Sequence, residues 1–167
     1  MEADNASMAD HLRDALGQML DKYDERRRAD VAREQKVKDD EALFLEQFAE
    51  ARRSVVRPVF ESAGALLAER GHEFSISEED FSSDGRITEA AISIRIVPTG
   101  MKPSVQDDEH ARSFSIATRH YNKTVWINAG AGNAGGVAGS KGAYPLERIT
   151  RQFVEEELLK FVAAIVA

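Results

Sequence analysis

The 167-residue chain contains no cysteine. Disulfide staples, thiolate nucleophiles and cysteine-ligated zinc are thereby excluded, and nothing points to an oxidising compartment. Proline is scarce, with four in all, and neither proline nor glycine occurs between Gly17 and Pro58. So long an uninterrupted stretch predicts one continuous helix. Long apolar runs are missing too. The longest, FVAAIVA at 161–167, is too short to cross a bilayer, and the acidic start MEADNASMADHLRD lacks the apolar region of a secretion signal. A soluble, cytoplasmic protein with no membrane partner is expected. Basic residues number 22 against 29 acidic ones, a net charge of −7, which argues against a nucleic-acid partner. The deficit is uneven. Residues 110–151 carry six basic side chains against Glu147 alone, so any small-anion site is expected there.

What is present suggests one compact domain with an extension. Leu12, Leu16, Met19 and Tyr23 follow a 4-3-4 spacing that lines one helical stripe, the pattern of a coiled-coil seam. The stripe predicts a homo-oligomer or a protein partner bound through this helix. It is not continued: residues 24–41 hold 13 charged side chains in 18 and read as a solvated helix supported by pairs such as Asp24 with Arg28 and Glu34 with Lys38. Residues 1–42 are therefore assigned to a charged, coiled-coil-like extension.

From Leu43 an apolar stripe returns through Phe44, Phe48, Ala51, Val55, Val59 and Leu66, widened by Val56, Phe60 and Leu67. That breadth suits packing on a sheet. Pro58 should kink or restart the helix, and Gly71 is placed to end it. Alternation of apolar residues then predicts four strands, near 72–77, 87–97, 112–118 and 124–128. A tight hairpin at Tyr121 and Asn122 would pair Ile116 with Ile127, Ala117 with Trp126 and Thr118 with Val125. A last helix is expected from Pro145, carrying Leu146, Ile149, Phe153, Leu158, Phe161 and Ile165. Residues 43–167 are thus expected to form an α+β sandwich: a four-stranded antiparallel meander with two helices on one face.

The glycine-rich segment NAGAGNAGGVAGSKGAYP, residues 128–145, contains the G-x-G-x-x-G spacing of a dinucleotide fingerprint. It lacks the rest: Pro145 comes ten residues after Gly135, and no second strand follows to carry a ribose-binding acid. GVAGSKG likewise lacks the hydroxyl after lysine that a phosphate-binding loop places on magnesium. The segment reads as a connector. Its functional alternative is an anion site using Lys141, with Arg148 and Arg151 in the first turns of the next helix. DFSSDGRITEAA at 80–91 resembles a calcium loop until its twelfth position, Ala91, so a turn at Asp84-Gly85 is the better reading.

The strand register turns Arg95, Arg119, Trp126 and Asn128 away from the helices, where an aromatic beside guanidiniums could stack a planar anion or simply be covered by an arginine. The histidines show no metal spacing, and QDDEH at 106–110 reads as an acidic loop. His120 could act as a base near Arg119, with no group visibly placed to complete a catalytic pair. No catalytic residue, cofactor or metal is therefore expected. The leading expectation is a non-enzymatic interaction protein that associates through Leu12, Leu16, Met19 and Tyr23. The alternative is a sensor or enzyme for a small anion, built from the glycine-rich loop with Arg119, His120, Trp126, Asn128, Lys141, Arg148 and Arg151.

Overall fold

The computed structural model describes residues 2–100, 112–130 and 139–166, with side chains for 6–100, 112–130 and 142–166. The chain divides into two compact units, Met1–Asp40 and Glu41–Ala167.

Helix α1 (Glu2–Ala51) runs without a break for 50 residues. Over residues 6–39 no side chain is buried. Support there is local: Arg33 pairs with Asp30, and the Gln35 amide donates to Asp39 at 2.9 Å. The five residues Arg52–Val56 form a π turn, in which the Arg57 N–H bonds the Arg52 carbonyl, and helix α2 (Arg57–Glu69) follows with Pro58 in its first turn.

The π turn solves a phase problem. Phe44, Phe48, Arg52, Val56 and Phe60 are each four residues apart, and all five are buried. In a regular α-helix such a row drifts by about 40° per step, because four residues turn about 400°. The wider turn takes up that drift and keeps both ends of the row on the sheet. Ser54 Oγ donates to the Glu50 carbonyl at 2.7 Å, supporting the backbone just before it. Pro58, which has no N–H to give, follows directly in the first turn of α2.

The fold is α+β: a long N-terminal helix plus an antiparallel sheet. The sheet has five strands in the order β1-β2-β3-β4-β5, not the four expected from alternation. They are β1 (Glu73–Glu79), β2 (Ala91–Val97), β3 (Ser113–Arg119), β4 (Thr124–Gly130) and β5 (Gly139–Tyr144). The added strand lies within the segment read as a connector. GSKGAY has no alternating apolar residues and is held by its backbone pairing, Val125 with Tyr144 and Asn128 with Ser140. A register shift falls between Trp126 and Asn128, and Gly142 opposite has a φ of +117°, open only to glycine without strain.

The hairpin of β3 and β4 has the register expected, Ile116 with Ile127, Ala117 with Trp126 and Thr118 with Val125. The final helix starts later than Pro145. Pro145 is extended, Leu146–Arg148 make a single 3₁₀ turn, and α3 is Arg151–Val166. Its start is set by Thr150, whose hydroxyl accepts the Phe153 N–H at 3.2 Å in the manner of an N-cap.

One face of the sheet carries Ile92, Ile94, Ile96, Phe114, Ile116, Val125 and Ile127, which close a core with Phe48, Val56 and Phe60 before and within α2 and with Val154, Leu158 and Phe161 of α3. Phe114 stands between Phe60 and Phe161, each ring centroid 5.8 Å away. Gly64 lies so close to the Phe74 ring that any Cβ there would overlap it. Among the described residues no helix is long and apolar enough to cross a membrane.

Candidate functional site

The alternation that puts isoleucines on the core side puts small polar residues on the other. Following the register across the sheet, Ser77 faces Ser93, Ser93 faces Ser115, and Ser115 faces Asn128. The row continues to Ser140 on β5 in the backbone pairing. One step along lie Glu79, Ala91, Ala117 and Trp126, and one step back Ser75, Arg95, Ser113 and Gly130. Short side chains flanked by longer ones leave a trough, and a hollow of about 400 Å³ is found here, lined by Ser77, Ser93, Ser113, Ser115, Asn128 and Ala117, with Glu79 and Glu89 at its edge. Ser113 and Ala117 are almost fully buried although they point away from the helices. Hydroxyls both donate and accept, and Asn128, exposed beside them, does the same. The lining thus suits a polar ligand or an extended chain more than an apolar one.

Beyond Ala117 the surface changes character. The Arg119 guanidinium lies 4.0 Å from the centroid of the Trp126 ring, and the indole N–H donates to Thr124 Oγ1 at 3.0 Å. Both groups are engaged with each other, a cation–π stack of about 0.5–1 kcal/mol at a partly exposed site. His120 follows on the turn with its ring 4.5 Å from that of Phe81. Its Nδ1 is shielded and has no hydrogen-bond partner among the described residues.

The residues expected to gather round an anion fall in separate places. Arg119, Trp126 and Asn128 share the sheet face of the hollow. Arg148 is exposed, with its guanidinium 5.7 Å from the Phe153 ring. Arg151 pairs with Glu155 at 2.9 Å on α3 and borders a groove of about 360 Å³ between α2 and α3, on the core side of the sheet. The groove is otherwise mainly apolar, with Val59, Ala63, Leu66, Leu159 and Val162. The side chain of Lys141, the acidic cluster at 106–110 and the loop segment 131–138 lie outside the described residues. Leu12, Leu16, Met19 and Tyr23 are 60%, 47%, 65% and 57% exposed on α1.

The residue that sequence patterning passed over is Arg52. Its side chain is buried, and its guanidinium donates to the carbonyls of Glu79 at 3.0 Å and Ala91 at 3.3 Å and to Asp80 Oδ1 at 2.6 Å. It therefore ties the π turn to the ends of β1 and β2, next to the carboxylate side of the hollow. The available signal was its place four residues from Phe48 and from Val56, in the middle of an apolar row. The segment 80–90 that it anchors contains a compact turn at Ser82–Ile87. Gly85 has a φ of +81°, Ser82 Oγ donates to Asp84 Oδ1 at 2.5 Å, and the Arg86 N–H donates to the same oxygen at 3.0 Å. The Ser82 hydroxyl and then the Arg86 N–H hold the Asp84 carboxyl below its ordinary range.

Among the described residues no group of three or more His, Asp or Glu side chains is placed to hold a metal. Compared with protein-family models, with curated proteins and with solved structures, the chain has no match.

Proposed function

We propose that this chain is a non-enzymatic interaction protein, which associates with a second chain through the N-terminal helix and offers the serine-lined sheet face of its α+β head to a partner or ligand. The observation that carries this reading is the exposure of Leu12, Leu16, Met19 and Tyr23, four large side chains at seam spacing on a helix that buries nothing over residues 6–39. Helices draw most of their stability from an apolar face packed against something, and this one has such a face with no partner among the described residues. The test is light scattering on the full chain over a range of concentrations, beside a variant carrying Leu16→Glu and Met19→Glu. An oligomer that the variant reduces to a monomer supports the reading. A wild-type monomer at every concentration defeats it.

The alternative, a small-anion sensor or enzyme, draws its support from Arg95 and Arg119 on the face that carries the hollow. Glu79 and Glu89 in the lining weigh against it, since carboxylates repel an anion. Trp126 is the single tryptophan, so its fluorescence reports on that surface. A saturable change on titration with inorganic phosphate would favour the alternative, and a flat response would leave the interaction reading in place.

A further inference from the structure

The apolar stripe of α1 carries information on what covers it. With Leu16 and Tyr23 at heptad position a and Leu12 and Met19 at d, Ala9 and Asp30 also fall at a, and Arg26 and Arg33 at d. Positions flanking the seam hold Met8, Ala15 and Lys22 at g, and Arg13, Leu20 and Arg27 at e. Acidic Asp10, Asp14, Asp21 and Asp24 all lie on the outer b and f positions.

Consider first two copies side by side in parallel. Each seam residue then meets itself. The layers from Ala9 to Tyr23 are compatible, but the next three oppose Arg26 to Arg26, Asp30 to Asp30 and Arg33 to Arg33, and Lys22 at g meets Arg27 at e of the other copy. Every one of these is a like-charge opposition, which destabilises a helix pair.

Reversing one copy removes them. When the crossing is centred between Gly17 and Gln18, Leu12 meets Tyr23, Leu16 meets Met19, and Arg26 falls opposite Ala9 at the end of the seam. The flanks match as well, with Arg13 opposite Leu20, Lys22 opposite Ala15 and Met8 opposite Ala29. This arrangement also covers Met8 and Leu20, 73% and 57% exposed, which lie off the seam and have no other account. Their cover by the long stems of neighbouring side chains adds apolar area to a seam only two heptads long.

From this charge pattern we infer that the N-terminal helix pairs antiparallel with the same segment of a second copy of this chain, centred between Gly17 and Gln18. The inference rests on the reading of the stripe as an association surface and adds its occupant, direction and register.

The absence of native cysteine makes the test direct. Full-length Leu12→Cys and Tyr23→Cys proteins, one carrying a mass tag, are oxidised alone and as a mixture, and the products are separated without reductant. Positions 12 of two antiparallel copies lie about 16 Å apart along the axis, beyond the 4.4–6.8 Å Cα separation of a disulfide, whereas 12 and 23 are level. The mixed product should therefore exceed either self-product by about tenfold. Self-products that equal or exceed the mixed one would overturn the direction while leaving self-association standing. A dimer by light scattering with no cross-link in any sample would overturn the segment proposed. A monomer with no cross-link would remove both this inference and the reading beneath it. Both substitutions are at exposed positions, so loss of folding does not confuse these outcomes.

Discussion

The two units of the chain hold helix by different means. In residues 6–39 of α1 no side chain is buried, and the backbone relies on good helix formers and on neighbouring pairs worth a few tenths of a kcal/mol each. Beyond Phe44 the end of α1, the π turn and α2 have Phe48, Val56 and Phe60 fully buried in a core shared with α3 and the sheet, each contributing about 1.5–3 kcal/mol. The contrast shows that a run of helical backbone can pass from a segment whose folding tolerates polar substitution to one in which each side chain is specified by packing. It also separates the places where sequence changes should act on association from those where they should act on folding.

The sharpest way to break the contrast is at Arg52, a charged residue on the buried side. Arg52→Met keeps the stem but leaves the carbonyls of Glu79 and Ala91 without their donor, and should lower stability by about 2–3 kcal/mol, a fall in Tm of roughly 10 °C. Thermal melts followed by circular dichroism would check this, and an unchanged Tm would mean the clamp is dispensable. Next comes Gly64→Ala. On an exposed helix this change stabilises, but here the new methyl meets the Phe74 ring, and a loss of about 1–3 kcal/mol in a urea titration is expected. Gly17→Ala is the control in the other unit. Nothing lies within 4 Å of that position, so the variant should gain helix content, by about 0.5–1 kcal/mol, and leave the melting of the head unchanged. The smallest effect is expected at Ser82→Ala. Asp84 is held below its ordinary pKa in the folded state, so its contribution is present above the unfolded value and is lost as pH falls through the folded one, on the acid side of about 4. Removing the Ser82 hydroxyl should move the Asp84 titration toward that ordinary value, read by NMR of its side-chain carboxyl.

How far the sequence reveals this architecture depends on how regular each element is. The β3–β4 hairpin is readable in full because seven-residue strands alternate strictly and a short turn leaves one register. Strand β5 is not, since Gly139 and Gly142 flank no alternating residues and the pairing is carried by the backbone. The start of α3 differs from the one expected at Pro145 because proline is as acceptable before a 3₁₀ turn as at the head of an α-helix, while Thr150 carries the actual cap. On the candidate site, the polar half of each strand's alternation already places Ser77, Ser93 and Ser115 together once the register is known. Arg52 was hidden by its charge, which suggests a surface, although its spacing from Phe48 and Val56 says otherwise.

The π turn at Arg52–Val56 has a consequence for how this protein can change length. In the charged stretch between Tyr23 and the core, residues could be added to or removed from α1 with only local effect, because no buried side chain has to keep its bearing. Between Phe48 and Phe60 a single deletion would rotate everything beyond it by about 100° and swing Val56 and Phe60 off the sheet. Insertions and deletions between variants of this chain should therefore collect between Tyr23 and Phe44 and be absent from the thirteen residues Phe48–Phe60.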